Sequence, residues 1–365
     1  MLAQDDTQRD NWGAPISFSG RRGTPTEKIK SADIQDNNSF IVFIYKKLLK
    51  KMCKCDIISS NLSKIQTEAY VTPRQIDFGV FMYKILKKKS LNPTVTMMEI
   101  EAPLVAAKAE PGQFIILRVD GEGERIPLTV AGFDRERGSV KIIFQIVGAT
   151  TKQLDSKNEG EYISDFVGPL GTKTRVEGLK KVCIVGGGVG CAIALPVAEK
   201  LASLGCEVTS VIGFRSKDLL ILEDEFRAAS KELIVMTDDG SYGREGNVCL
   251  PLREMFAAGE SFDEVITIGP LVMMKFVVAE VRPTGIPCTV SMNPIMIDGT
   301  GMCGGCRLSL IRDGKRITEF ACVSGPDFNG YEVDFDEAIS RSSMYRDFER
   351  HAYEKACNLY KKEVE

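Results

Sequence analysis

The sequence predicts a β plus α/β protein in three parts: a six-stranded antiparallel barrel, a doubly wound parallel sheet and a small cysteine-bearing domain. Three observations carry this. After Met82, six short strand patterns follow within about 90 residues with no long helix between them, which suits a small closed sheet. After Lys180, apolar strands alternate with helical periods, the pattern of a parallel sheet covered on both faces. Towards the C-terminus cysteines gather in a glycine-rich stretch, Asp298-Gly-Thr-Gly-Met-Cys303-Gly-Gly-Cys306, with Cys322 beyond it.

The six strand patterns are YKILKKK, TVTMMEIEA, QFIILRV, RIPLTVA, SVKIIFQIV and EYISDFVG, separated by the turn signals PGQ, DGEGE and DRERG. The alternating part opens with KVCIVGGGVGCAIALPVAEKLASLG: an apolar strand, a glycine turn, then a helical period closing at Gly205. Strand EVTSVIGF, helix LLILEDEFRAA, strand LIVMT, a loop, strand EVITIGP, helix LVMMKFVVAEV and strand PCTVSM complete it. The remainder reads as irregular around the cysteines, then helical and charged. The expected domains are residues 82–177 for the barrel, 178–290 for the α/β part, 291–330 for the cysteine part and 331–365 for a helical tail. Residues 1–81 differ: polar, turn-rich and without a sustained apolar period at the start, they read as a disordered extension or one preceding a downstream start at Met82.

Composition narrows the chemistry. The 365 residues carry a formal net charge of −3, so no broad basic surface for nucleic acid is implied. A single histidine, His351, excludes histidine-based triads and multi-histidine metal sites within this chain. No apolar run approaches the roughly 20 residues needed to span a membrane. The 11 cysteines include Cys183, Cys206 and Cys288 inside apolar runs, where they read as small buried hydrophobes. A reduced, cytoplasmic protein is expected rather than a disulfide framework.

Four motifs carry chemistry. In Gly186-Gly187-Gly188-Val189-Gly190 a buried strand turns into a helix, and glycines there let backbone amides approach a pyrophosphate at the positive helix end. The spacing is not a full G-x-G-x-x-G, and a purely structural turn is the rival reading. The second strand ends Gly213-Phe214-Arg215 with no acidic residue, which leaves NAD against NADP open. Asp238, Asp239 and Gly240, and Gly269 with Pro270, end later strands at the carboxyl edge where ligands bind in open α/β sheets. On a barrel strand, Arg125, Pro127, Leu128 and Thr129 offer a phosphate partner and a face for a planar ring. Gly148, Thr150 and Thr151 open a helix, again suited to phosphate. Two phosphate-competent sites point to two nucleotides. Asp298, Cys303, Cys306 and Cys322 give D-x4-C-x2-C-x15-C, close to the C-x4-C-x2-C spacing of plant-type [2Fe-2S] proteins but with aspartate in the first place. A zinc site on three thiolates and one aspartate is the rival, in a non-catalytic subunit.

Taken together, PGQFIILRV, RIPLT, VGGGVGCA, TDDGSYG, SMNPIMIDGTGMCGGC and FACVSGPDFNG resemble the ferredoxin reductase-like FAD/NAD module over residues 82–365. Within it the chain is most similar to the small (alpha) subunits of NADH-dependent ferredoxin:NADP oxidoreductases, also known as sulfide dehydrogenase subunits. The resemblance implies that Arg125, Pro127, Leu128 and Thr129 contact FAD, that the Gly148–Thr151 turn holds its pyrophosphate, and that the GGGVG turn binds NAD(H). It implies a [2Fe-2S] cluster on Asp298, Cys303, Cys306 and Cys322. It also implies a relay in which NADH reduces FAD and single electrons leave through the cluster to a large flavoprotein and iron-sulfur subunit using NADPH and ferredoxin, a heterodimer capable of flavin-based electron bifurcation. The electron-transfer subunit of dihydroorotate dehydrogenase shares this layout but has cysteine where this chain has Asp298. No general acid or base beyond the cofactors is needed for hydride transfer, so the scarcity of histidine is no objection.

Overall fold

The computed structural model of the protein describes residues 82–362; the extension expected over residues 1–81 lies outside them. The first sheet contains β1 (Tyr83–Asn92), β2 (Val95–Glu101), β3 (Phe114–Arg118), β4 (Arg125–Asp134), β5 (Ser139–Gln145), β6 (Tyr162–Ile163) and β7 (Asp165–Leu170). Its order is β6-β1-β2-β5-β4-β3-β7, and its pairings are antiparallel. The sixth expected strand is divided at Ser164: β6 pairs with β1, while β7 pairs with β3. One continuous segment therefore stands at both ends of the strand order and closes the barrel. The sheet has seven strands instead of six because a single segment must serve two partners.

Alternation fills the barrel. Met98 and Ile100 from β2, Ile115 and Leu117 from β3, and Val140, Ile142 and Phe144 from β5 share one core with Ile85, Ile163 and Phe166. Each such fully buried side chain contributes about 2 kcal/mol by leaving water. β3 is unusual in being apolar on both faces. Its Phe114 and Ile116 point outwards and join a second core with Met292, Met296, Cys306 and Leu308. The outer side of the barrel is thus the seat of the cysteine segment.

The second sheet contains β8 (Lys181–Gly187), β9 (Glu207–Phe214), β10 (Glu232–Thr237), β11 (Arg244–Glu245), β12 (Glu264–Ile268), β13 (Cys288–Ser291) and β16 (Asp327–Asn329). The order is β11-β10-β9-β8-β12-β13-β16, parallel except for β16, which runs antiparallel to β13. The first strand in sequence lies at the centre, so the chain winds outwards in both directions from it. Its residues alternate between two cores: Val182 and Ile184 face the helix Cys191–Ser203, whereas Cys183 and Val185 face the helix Leu271–Val281. The former core also takes Val95, Ala131 and Ile143 from the outside of the barrel, which fuses the two sheets.

Three local expectations are corrected. The helix expected from Leu219 begins only at Glu223, because Leu222 adopts a left-handed φ of 61° and three acidic residues then occupy the first turn. The loop expected after β10 contains a helix, Cys249–Ala257, whose Cys249, Leu252 and Met255 are buried at helical spacing. The segment beyond Cys306 is a hairpin, with β14 (Arg307–Arg312) against β15 (Lys315–Phe320). Asp313 and Gly314 turn it with φ of 51° and 72°, the paired positive values of a tight hairpin turn. Helices Phe335–Ser342 and Arg346–Lys362 follow, and among the described residues no helix is long and apolar enough to cross a membrane.

Candidate functional site

Parallel strands deliver their carboxyl ends to one edge, and that edge collects the predicted nucleotide residues. Gly186 and Gly187 end β8, Arg215 follows β9, Asp238–Gly240 follow β10, and Gly269 and Pro270 follow β12. The strand order reverses between β8 and β12, which is where open α/β sheets bind ligands. Close approach explains the glycines. A Cβ on Gly190 would stand 2.5 Å from the Ile268 carbonyl oxygen and 2.7 Å from Gly269 Cα, so backbone meets backbone there. Gly188 has a φ of 55° and open space where a Cβ would sit. Arg215 and Asp238 are exposed. Asp239 is committed to its own turn, its Oδ1 accepting from Ser241 N at 3.0 Å and Ser241 Oγ at 2.6 Å, and these bonds hold its carboxyl below the usual range.

The second set lies on the barrel. Arg125, Pro127, Leu128 and Thr129 form the start of β4, and Arg125, Pro127 and Thr129 stand opposite Arg118, Ile116 and Phe114 of β3. Since Phe114 and Ile116 face outwards, Arg125, Pro127 and Thr129 do so as well. The Nε of Arg125 is buried without a hydrogen-bond partner, an orphaned donor that fits an anionic ligand. Gly148 precedes the helix Ala149–Ser156, and no atom occupies the space a Cβ there would take. Thr151 Oγ1 accepts from Val147 N and Gly148 N, both at 3.0 Å, which closes the turn. Thr150 Oγ1 donates to Glu124 Oε2 at 3.2 Å, and Gln153 is hydrogen-bonded to Asp120. The loop before Arg125 is thereby tied to this helix.

The third set is the cysteine loop. Cys306 and Cys322 are buried and adjacent, with Sγ atoms 3.2 Å apart and both thiols free. Burial and the neighbouring Cys306 raise the Cys322 thiol. Cys303 is exposed; its sulfur accepts from Gly305 N at 3.4 Å, and backbone donors of Gly305 and Asp298 hold its thiol below the ordinary value. Gly299, Gly301 and Gly304 all take positive φ, which gives the loop its tight curvature. Thiols with N–H donors around them are the donor set of iron–sulfur or zinc centres. Asp298 is turned towards its own loop: Oδ2 accepts from Thr300 N at 2.9 Å, Met302 N at 3.2 Å and the Thr300 hydroxyl. Those bonds, with the Arg125 charge as a smaller contributor, hold its carboxyl below the usual range. The structure therefore brings Cys306 and Cys322 together and sets Cys303 beside the Asp298 backbone. Among the described residues no group of three or more His, Cys, Asp or Glu side chains already converges.

The loop and the barrel meet. A Cβ on Gly299 would stand 2.7 Å from Leu170 Cδ1 and 2.8 Å from Ile116 Cδ1, and Thr172 N donates to the Gly325 carbonyl at 2.7 Å. Sequence reasoning missed Thr300, whose hydroxyl and amide fix Asp298, and Arg118 with Asp165, paired at 2.8 Å beside Arg125. Arg118 carries no sequence signal of its own; only the strand register identifies it as the residue opposite Arg125.

Comparison with known proteins agrees with this layout. A family described as the iron-sulfur cluster binding domain of dihydroorotate dehydrogenase B matches residues 293–334. A homologue of the electron transfer subunit of dihydroorotate dehydrogenase B from Thermotoga maritima is 44% identical over 277 residues, covering 76% of this chain and 96% of that protein. The subunit itself from Desulforamulus reducens is 30% identical, covering 70% of this chain and 98% of that one. A solved structure of the NADH-dependent reduced ferredoxin-NADP oxidoreductase superposes with a TM-score of 0.70 at 43% identity, covering 76% of this chain and 98% of that one. The chain belongs to the family of electron-transfer subunits that includes those of dihydroorotate dehydrogenase B and the NADH-dependent reduced ferredoxin-NADP oxidoreductase.

Proposed function

We propose that this chain is the NADH-handling electron-transfer flavoprotein subunit of an NADH-dependent ferredoxin:NADP oxidoreductase, an oxidoreductase that works by flavin-based electron bifurcation. The supporting observation is the seating of the cysteine loop on the barrel strands beside the Arg125–Thr129 run, with Gly299 against Ile116 and Leu170. Its glycine turn, Gly186 to Gly190, would hold the NAD(H) pyrophosphate, with Arg215, Asp238, Asp239, Gly240, Gly269 and Pro270 around the rest of the dinucleotide. Arg125 would neutralise FAD phosphate, Pro127 and Thr129 would lie along the ring, Leu128 would offer it backbone alone because its side chain packs against the barrel core, and Gly148, Thr150 and Thr151 would support the pyrophosphate. Cys303, Cys306 and Cys322 would hold a [2Fe-2S] cluster, with Asp298 as fourth ligand once its carboxylate turns from Thr300 and Met302. When bound, the flavin converts paired electrons into single ones and the cluster carries those one at a time. We assign residues 82–177, 178–290 and 291–330 to these three tasks, place the protein in the cytoplasm, and infer a large flavoprotein and iron-sulfur partner using NADPH and ferredoxin.

The alternative of a dihydroorotate dehydrogenase electron-transfer subunit is less well supported, because the resembled subunits have cysteine where Asp298 stands. The protein co-purified with its partner tests the reading. Flavin absorbance with broad iron–sulfur bands, and NADPH formation coupled to NADH and reduced ferredoxin, are expected. Colourless protein containing zinc would overturn it.

A further inference from the structure

Two arginines face each other across neighbouring strands of the barrel. Arg118, the last residue of β3, stands directly opposite Arg125, the first of β4. Directly opposed side chains in an antiparallel pair have Cβ atoms about 5 Å apart, and like charges there destabilise the sheet unless something neutralises them. Asp165 on β7, the other neighbour of β3, does half of this: its Oδ2 lies 2.8 Å from Arg118 Nη2. Arg118 Nη1 donates to the Gly121 carbonyl at 3.0 Å, so the guanidinium is braced at both outer nitrogens. What remains is its Nε, which is buried without a partner, as is the Nε of Arg125.

Two guanidiniums therefore keep two buried donors unused on one face of the barrel. The loop between them is tied to the first turns of the helix Ala149–Ser156 through Glu124 with Thr150 and Asp120 with Gln153. The positive end of that helix is held near the same end of the sheet. Asp165 and the loop carboxylates Asp120 and Glu124 balance the charge, but the two unpartnered Nε donors at paired positions are satisfied only by a ligand with several acceptor oxygens.

Resting on the flavoprotein reading above, we infer that Arg118, braced by Asp165, is a second guanidinium for the FAD diphosphate, acting with Arg125 on a doubly charged group. It is a binding residue supplied by β3, and Asp165 is its positioning residue. The two charges match the two phosphates of a dinucleotide, so their contribution falls on the phosphate part of the cofactor and not on its ring.

The test separates these parts. Full-length protein stripped of flavin is titrated with FAD and with riboflavin, which lacks phosphate, following flavin fluorescence in wild type, Arg118→Gln and Arg118→Lys. Loss of one charge-assisted contact should weaken FAD binding about tenfold in Arg118→Gln, leave riboflavin binding unchanged, and be partly recovered in Arg118→Lys. Unchanged FAD affinity in Arg118→Gln, or equal losses for FAD and riboflavin, overturns the assignment. Should Arg118→Gln fail to fold, Arg118→Lys decides: FAD affinity equal to wild type counts against the role. Wild-type protein that binds no FAD overturns the flavoprotein reading itself, which distinguishes that failure from failure of the subsite.

Discussion

Asp298 shows how much a single side chain can be asked to do. Its carboxylate already accepts three hydrogen bonds from its own loop, so ligation would exchange those bonds for metal. Asp298→Asn keeps an acceptor for the Thr300 and Met302 amides while removing the charge, and should change the EPR spectrum of the cluster with little effect on fold. An unchanged spectrum would remove Asp298 from the ligand set. Asp327 supplies a different experiment. Its Oδ1 is buried without a partner, and burial raises its carboxyl above the ordinary value despite the hydrogen bond from Thr174 to Oδ2. An acid with a raised folded-state value favours the protonated native form. Its contribution to stability is present below the unfolded value, about 3.9, and is lost as pH rises through the folded value. Asp327→Asn should therefore gain thermal stability relative to wild type between pH 4 and pH 7, as read by melting temperature. A difference independent of pH in that range would contradict the linkage.

Among elements, the strand–turn–helix around Gly186–Gly190 was the most legible, because an apolar run, glycines and a helical period occur in immediate succession. The arginine run offers a phosphate partner and a ring face on its own residues, but R-x-P on a strand is a weak signal, and its FAD role comes from the resemblance. Arg118 was not legible, because opposition to Arg125 depends on register. The helix Cys249–Ala257 was hidden by its length and by Pro251, which the first turn of a helix tolerates. The Asp313-Gly314 pair is a hairpin-turn signal in the sequence, but the strands it joins, RLSLIR and KRITEF, carry too many charges to read as a sheet. The glycine turn also makes a quantitative prediction. Gly190→Ala would press a methyl group against the Ile268 carbonyl and should cost about 1–3 kcal/mol in stability. Gly188→Ala meets no atoms and should cost only about 1 kcal/mol through its positive φ. If the turn holds a pyrophosphate, Gly188→Ala should still weaken NADH binding, measured by titration; undiminished affinity would argue for a structural turn.

Across the molecule, the two sheets share apolar cores instead of meeting through a polar surface. Ile143 lies on the barrel but packs with the helix Cys191–Ser203 and its strands. Ile143→Ala should destabilise the protein by about 3 kcal/mol and lower the unfolding temperature of both sheets together. Two separate transitions in denaturant, with only one moved by the substitution, would show that the shared core does not couple them. The general architecture was readable because its parts differ in period: short alternating strands first, then helices between apolar strands. How the parts join was not readable, because β3 looks in sequence like any fully buried strand.

That strand has a consequence for chimeric proteins. Phe114 and Ile116 project away from the barrel interior and are covered by residues of the cysteine segment. A transplant of residues 291–330 onto another barrel would deprive that segment of its seat. Deleting it here would leave a sticky stripe along the donor barrel. The cysteine segment and the barrel therefore constitute one inheritable unit, and recombination between relatives should succeed only where a crossover keeps β3 and that segment from the same parent.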